Sequence, residues 1–406
     1  MKFTANLTEF HRALMKTIPA IPRKSTLPIL EHIHLTLNEN ELQIIGTDQD
    51  IIIMTKLVVN GEESGSVLVP GKKLSDIVKA LKQEGTIELS TKENSFDIKL
   101  KTAFGKYGLK GIDPEEYLYL PELFESERPN IHEYVEGESE KPANVAFFKR
   151  NNIQYLADKT VFAVSTDEFR PSMNGVYFQF SENTVNAVAT DSFRLSIAKI
   201  HSEKGEYPSD LNIIIPTRAA DLLKRVEDDV ILSIIETRNK YTHARFDIGD
   251  SVIISRLIEE KFPAYETVIP RNNDLVLVIN RNDFLLAIRR VAILTSTISN
   301  QIRLKITDKE LFIIGEDQDT GSEAIDIVPC DFNGKELEIA FNHKYLDDAL
   351  MNLEGDSATP TILMSFSEHL GFLIIRKQFS KRKPRALRFP VRLNYSLNFA
   401  RYQLLE

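Results

Sequence analysis

Cysteine is almost missing from this chain: Cys330 is the only one among 406 residues. A single thiol forms neither an internal disulfide nor a cysteine-based zinc site, and it fits a reducing compartment. No apolar run is long enough to cross a bilayer as a helix. The opening Met1-Lys2-Phe3-Thr4-Ala5-Asn6 lacks the apolar core of an export signal, so a cytoplasmic protein is expected. No G-x-x-x-x-G-K-[ST] loop occurs, so the chain is not expected to hydrolyse nucleotide. No H-x-x-x-H pair with an adjacent glutamate occurs, and no nucleophile and base stand at a telling spacing. The expectation is a protein that is not an enzyme and holds neither cofactor nor metal.

What is present is repetition. Glu41-Leu42-Gln43-Ile44-Ile45-Gly46-Thr47-Asp48-Gln49-Asp50 returns as Glu310-Leu311-Phe312-Ile313-Ile314-Gly315-Glu316-Asp317-Gln318-Asp319, with eight of ten positions identical. A weaker copy, Thr184-Val185-Asn186-Ala187-Val188-Ala189-Thr190-Asp191, lies between them. Each is a short apolar strand entering an acidic turn. A unit used three times points to a structure built for geometry rather than around one catalytic pocket.

The repeat extends on both sides of this motif. Apolar periodicity predicts helices over residues 7–18, 147–160 and 281–294, and second helices over 72–83, 218–226 and 344–353. In the helix 72–83, Leu74, Ile77, Val78 and Leu81 form the inward stripe, and Lys72, Lys79 and Lys82 lie opposite. Alternation puts Phe96, Ile98 and Leu100 on one strand face and Asp97, Lys99 and Lys101 on the other. His32 and His34 read as the polar face of a strand. The composition separates three domains at 1–125, 140–270 and 271–393, a polar acidic linker at 126–139, and an extension at 394–406.

The net charge of −9 argues against a nucleic-acid partner only if it is spread evenly, and it is not. Residues 7–24 and 71–83 each carry +3; 147–160, 217–226 and 281–290 each carry +2; 342–353 carry −1. These six segments hold +11 together, which leaves −20 on the strands and loops. Basic residues favour solvated helix faces in any protein. The same bias in five of six helices against an acidic background suits contact with phosphates that ignores base sequence.

These residues permit a family comparison. Thr26-Leu27-Pro28-Ile29-Leu30, Thr166-Asp167-Glu168-Phe169-Arg170-Pro171, and Met173-Asn174-Gly175-Val176 come first. Ala189-Thr190-Asp191-Ser192-Phe193-Arg194-Leu195, Ser255-Arg256-Leu257-Ile258-Glu259 and Phe262-Pro263-Ala264-Tyr265 follow. Tyr345-Leu346-Asp347-Asp348-Ala349-Leu350 and Phe389-Pro390-Val391-Arg392-Leu393 come last. In this order and spacing the chain resembles the bacterial DNA sliding clamp, the beta subunit of DNA polymerase III, over nearly its whole length.

The resemblance implies an α+β protein of three domains of one fold, each with two helices on antiparallel sheet. It implies a head-to-tail homodimer closed into a six-domain ring around duplex DNA, tethering the replicative polymerase. Loading would need a separate ATPase. Expected DNA contacts are Arg12, Lys16, Arg23, Lys24, Lys72, Lys73, Lys79, Lys82, Lys149, Arg150, Arg218, Lys224 and Arg225. The family's pocket for short peptides of polymerase and clamp-loader subunits maps onto Met173, Thr190, Phe193, Arg194, Leu195, Pro263, Val268, Leu387, Phe389, Pro390, Val391 and Arg392. The subunit interface maps onto Tyr107 and Leu109 against Ile293 and Leu294 of a second copy.

Three departures stand out. Phe193 replaces a histidine usual in the family, and Ser192 replaces a glycine. The closing motif reads Phe-Pro-Val-Arg-Leu where Met-Pro-Met-Arg-Leu is usual, so a more aromatic pocket is expected. The extension carries Gln403-Leu404-Leu405, faintly like the peptides that clamps bind. Two other functions compete with a clamp. Asp48 with Asp50 and Asp317 with Asp319 suggest a two-carboxylate metal site of a nuclease, although recurrence at one point of a repeat favours a structural turn. A repeat scaffold that binds only proteins is the other.

Overall fold

Among the described residues, the six amphipathic segments fold as helices near the predicted places: α1 (Leu7–Thr17), α2 (Gly71–Ala80), α3 (Arg150–Asp158), α4 (Thr217–Leu223), α5 (Arg281–Ala292) and α6 (His343–Asn352). The structure, a computed structural model, describes residues 1–81, 84–92, 95–117, 144–181, 183–202, 207–208, 210–238, 240–269, 274–353, 361–366, 372–377, 395–401 and 403–404. The expected linker 126–139 lies outside them. No helix among the described residues is long and apolar enough to cross a membrane.

Local chemistry sets the helix ends. The Asn6 side chain accepts from the Thr8 and Glu9 amides at the start of α1, and Asn280 does the same for Asn282 and Asp283 at the start of α5. Such caps satisfy amides that a helix leaves bare. The third helix begins three residues later than periodicity predicts. Phe147 and Phe148 belong instead to the strand Val145–Phe148, paired with residues 230–233. The Arg150 amide then donates to Asp229 Oδ1 at 2.9 Å, a cap supplied from a distant turn.

The chain divides into two units. The first comprises Met1–Arg150 and Val226–Leu257. It holds a five-stranded antiparallel sheet in the order Asn60–Glu63, Lys2–Asn6, Thr86–Thr91, Ile98–Lys101, Lys106–Leu109. It also holds an eight-stranded sheet in the order Val145–Phe148, Val230–Thr237, Lys240–Ile248, Ser251–Arg256, Ile51–Val58, Glu41–Thr47, His32–Asn38, Gly65–Pro70. Helices α1 and α2 lay Phe10, Leu14, Leu74 and Val78 into a core shared with Phe3, Ile33, Leu35, Leu37, Leu89 and Leu100. Ile98 and Leu100 face inward as alternation predicts; Phe96, before the strand begins, is exposed.

The second unit comprises Asn151–Arg225 and Ile258–Glu406. Its thirteen-stranded sheet begins Asn212–Pro216, Gly175–Ser181, Thr184–Thr190, Arg194–His201, Tyr395–Arg401, Phe372–Lys377 and Thr361–Phe366. It continues Leu275–Asn280, Ser322–Phe332, Glu310–Asp317, Gln301–Ile306, Leu337–Asn342 and Gln403–Leu404. Helices α5 and α6 pack together over Leu277, Leu304, Ile313, Ile339 and Met364. Tyr395–Arg401, read from sequence as part of an extension, runs as a strand between residues 194–199 and 372–375.

The repeated motif now has a physical account. A Cβ added to Gly46 would stand 3.1 Å from the carbonyl oxygen of Thr17 in α1, and one on Gly315 would stand 2.6 Å from side-chain carbons of Val291 and Thr295. Each glycine lets a helix lie against the strand, and the middle copy holds the small Ala189 there. The aspartate that follows closes the turn. Asp48 Oδ1 accepts from the amides of Asp50 and Ile51, Asp191 Oδ1 from Phe193 and Arg194, and Asp317 Oδ1 from Asp319. Gln49 and Ser192, one residue past their aspartates, take positive φ values of 82° and 77°. That backbone suits glycine.

His34 departs from expectation. It is only 8% exposed, because residues 112–117 return across this sheet face. Leu68 and Ile112 exchange backbone hydrogen bonds, and the Tyr117 hydroxyl donates to the His32 carbonyl. His34 Nε2 lies 2.6 Å from Ser66 Oγ, and the ring meets Tyr117 edge-on. Burial lowers its pKa from 6.5 to about 4. The unfolded chain therefore binds the extra proton first. Stability from neutral His34 is complete above pH 6.5 and is lost as pH falls towards about 4, by up to about 3 kcal/mol. Urea unfolding of wild type and His34→Gln at about pH 7.5 and 4.5 tests this. The variant should lose less stability on acidification; equal losses would contradict the assignment.

Candidate nucleic-acid and partner-binding surfaces

The cations that the sequence nominates separate into two groups. Arg23, Lys24, Lys72, Lys73, Lys79 and Arg225 are exposed and pair with no carboxylate among the described residues. Others are engaged. Lys16 Nζ lies 2.7 Å from Asp250 and 3.6 Å from Glu227, and Arg12 lies 3.9 Å from Asp250. Lys149 bonds Asp229 at 2.8 Å and lies over the Phe147 ring. Arg150 Nη1 donates to the Glu227 carbonyl at 3.3 Å. Lys224 bonds Asp221 within one turn, and partial burial lowers the pKa of Arg218. Lys82 lies outside the described residues. On α5, Arg289 grips Asp347 of α6 through two bonds and Arg290 pairs with Asp326. The charge of +2 counted there is neutralised by its own neighbours.

The second surface lies within the second unit around the turn that follows Thr184–Thr190. Thr190 Oγ1 donates to the Arg194 carbonyl at 2.7 Å, and Ser192 Oγ accepts from Arg170 at 2.7 Å and touches Met173 Sδ. Arg194 Nε bonds Asp191 at 3.0 Å, and its Nη1 donates to Asp348 of α6. The same guanidinium lies 4.9 Å from the Tyr345 ring centroid and 5.5 Å from that of Phe162. Phe193 stacks on Tyr345 at 6.1 Å and remains 57% exposed.

Leu195 is buried in a neighbouring apolar cluster with Val188, Ile197, Ile214, Phe262 and Tyr265. Pro263 is half-buried and Val268 exposed. Leu387, Phe389, Pro390, Val391 and Arg392 lie outside the described residues. Sequence reasoning missed Arg170, Phe162, Tyr345 and Asp348 as neighbours of this turn. The signals were the Thr166-to-Pro171 motif, which carries Arg170, and the Tyr345-to-Leu350 motif, which carries Tyr345 and Asp348.

The third surface is made of strand edges. In the first unit Ile51–Val58, the strand after the Asp48 turn, pairs with Ser251–Arg256. In the second, Arg194–His201, after the Asp191 turn, pairs with Tyr395–Arg401. The strand after the Asp317 turn is Ser322–Phe332. It pairs with Glu310–Asp317 along residues 322–329, and the other side of that stretch has no strand partner among the described residues. Its outward Ile325 and Ile327 are exposed. Lys106–Leu109, Ser251–Arg256 and Tyr395–Arg401 each close the last run of strands in a repeat, and of these Lys106–Leu109 is likewise an edge among the described residues. Tyr107 and Leu109 pack partly on the core, while Ile293 and Leu294 past α5 are 78% and 41% exposed.

Of the aspartates that suggest a metal site, Asp48 and Asp317 hold turn amides, including those of Asp50 and Asp319, and no cluster of three candidate metal ligands occurs among the described residues. Cys330 is buried, and burial pushes its thiol up to about 11.

Comparison with known proteins agrees with the repeat. Family profiles described as the N-terminal, central and C-terminal domains of the DNA polymerase III beta subunit match residues 1–121, 148–264 and 266–380. A beta sliding clamp of Staphylococcus epidermidis is 31% identical over 367 residues, covering 88% of this chain and 91% of that protein. One from Staphylococcus aureus is 29% identical over the same coverage. Solved clamps from Bartonella birtlesii, at 25% identity, and Bacillus subtilis, at 23%, superimpose with TM-scores of 0.82 and 0.81 over 100% of both chains.

Arg194 ties the turn to α6, which gives a direct test. Arg194→Ala should destabilise the protein by about 2 kcal/mol, since it strips two carboxylates of a partly buried partner. Arg194→Lys should recover less than half, because an ammonium lacks the planar fork. Urea unfolding measures both; an Arg194→Ala loss below about 0.5 kcal/mol would show that the network contributes little.

Proposed function

The chain belongs to the family of bacterial DNA polymerase III beta subunits, the sliding clamps, and on that premise we propose that it is a non-catalytic processivity factor. Two copies close head to tail into a ring around duplex DNA, which slides without reading sequence. A polymerase held by such a ring rebinds as an intramolecular event, so its effective local concentration stays high after each dissociation. The work is done in the cytoplasm, after an ATP-driven loader has opened the ring.

The observation that carries this reading is the count of strand edges. Three equivalent closing strands meet three equivalent post-turn strands, and two of the three pairs form within the chain. The leftover pair, Lys106–Leu109 and residues 322–328 of Ser322–Phe332, closes only through a second copy. Bare edges are an aggregation hazard, and a cyclic assembly removes them. The exposed Ile293 and Leu294 would then bury against Tyr107 and Leu109 of the partner.

The exposed cations are those suited to phosphate contact: Arg23 and Lys24 beside α1, Lys72, Lys73 and Lys79 on α2, and Arg225 after α4. The turn built on Asp191, with Met173, Phe193 and Arg194 around it, suits a short partner peptide with apolar anchors. Polymerase and loader subunits are the partners that this reading implies.

Three measurements test the proposal. Loaded protein should stay on nicked circular DNA and escape once the circle is cut; equal escape from both would reject topological tethering. Replacing Ile293 and Leu294 by Asp should convert dimer to monomer in sedimentation velocity while the far-ultraviolet circular dichroism is unchanged. A persistent dimer would place the interface elsewhere. Reversing Arg23, Lys24, Lys72 and Lys79 to Glu should flatten the salt dependence of duplex binding by about 3 to 4 in log–log slope. An unaltered slope would mean that these faces do not meet DNA.

A further inference from the structure

The acidic turn at Asp250 is the feature that the proposed function leaves unexplained. Arg12 and Lys16 lie one turn apart on α1, so both side chains leave the same helix face. Both meet Asp250: Lys16 Nζ bonds Oδ1 at 2.7 Å, and Arg12 Nη2 lies 3.9 Å from Oδ2. Glu227 adds a second carboxylate 3.6 Å from Lys16.

The framework holds the acid in place. Ser251 Oγ donates to Asp250 Oδ1 at 2.9 Å, the Asp250 carbonyl accepts from the Lys56 amide at 2.9 Å, and Gly249 before it takes φ +54°. Burial pushes the Asp250 carboxyl up, but the bonds from Lys16 and Ser251 and the charges of Lys16 and Arg12 outweigh it, so it ionises below the usual carboxylate range. The neighbouring Asp229 repeats the arrangement, bonding Lys149 Nζ at 2.8 Å and the Arg150 amide at 2.9 Å. Carboxylate is here the anion that ordered cations already hold, whereas Lys24, Lys72 and Lys79 hold none among the described residues.

We propose that Asp250, assisted by Glu227, is a built-in substitute for a DNA phosphate: it occupies Arg12 and Lys16 when no duplex is present and gives them up to a backbone phosphate when one is. This deepens the proposed function and rests on it. A cation that exchanges one anion for another gains little, so Arg12 and Lys16 add guidance without much affinity. A ring that must slide needs weak direct binding, and the internal carboxylate supplies that weakness while keeping both side chains ordered.

The test is duplex binding by the full-length dimer, followed by fluorescence anisotropy between about 50 and 300 mM salt. The proteins compared are wild type, Asp250→Asn, Glu227→Gln and Glu236→Gln. Glu236 is an exposed acid on Val230–Thr237 that touches neither cation, so its change controls for net charge alone. Asp250→Asn should bind about 3- to 10-fold tighter at the lowest salt and steepen the log–log slope by about 1 to 2, as freed cations take phosphates. Glu227→Gln should shift both in the same direction by less.

If Asp250→Asn matches the Glu236→Gln control, or binds more weakly than wild type, the inference is overturned. Should Asp250→Asn fail to fold, as judged by thermal unfolding, the half-exposed Glu227 position carries the test, and no difference from the control overturns it. A Lys24→Glu arm separates the two claims. Weaker binding by Lys24→Glu with no effect of Asp250→Asn rejects only the substitute-phosphate role; no effect of either rejects the DNA-facing reading of these residues.

Discussion

Backbone hydrogen bonding at strand edges is the constraint on which this structure depends. Every strand that follows an acidic turn presents a second row of amides and carbonyls, and each must find another strand or water. Ile51–Val58 finds Ser251–Arg256, and Arg194–His201 finds Tyr395–Arg401. Among the described residues the three-fold repeat makes two such joints. The third leaves two open edges, Lys106–Leu109 and residues 322–329, each carrying both amides and carbonyls. The proposed head-to-tail dimer follows from this repeat arithmetic, with its ring closed through these two heterologous edges.

Electrostatics then decides what such an assembly can hold. A chain of net charge −9 reaches phosphate only by segregating its cations, and the helices do this. The structure adds that segregation is incomplete by design of the side chains. Arg289 and Arg290 are bound to Asp347 and Asp326, and Lys16 and Lys149 to Asp250 and Asp229. Counting charge along helices overstates the free cation density. Among the described residues, the nominated cations that pair with no carboxylate are Arg23 and Lys24 past α1, Lys72, Lys73 and Lys79 on α2, and Arg225 past α4.

Local features were legible in the sequence, and long-range ones were not. The six helices follow from periods of three and four, and the acidic turns from their recurrence at fixed places in a repeat. The start of α3 was misplaced because Phe147 and Phe148 are apolar in either a strand or a helix, and only pairing with residues 230–233 decides. His34 alternates like a surface residue, yet residues 112–117 cover it. The bonds from Lys16 to Asp250 and from Arg194 to Asp348 join positions 234 and 154 residues apart, which no local pattern foretells. The turn proposed for peptide binding is marked by family likeness, whereas its support by Tyr345 and Asp348 needed the fold.

The proposed ring depends on the pairing of Lys106–Leu109 with residues 322–328 of a second copy. Amide hydrogen exchange, followed on the protein at dimer-forming concentration and again after dilution to monomer, reads those two edges directly. Protection of both strands in the concentrated sample, lost from both together on dilution, is the predicted result. Exchange as rapid in the dimer as in the monomer at either strand would contradict it.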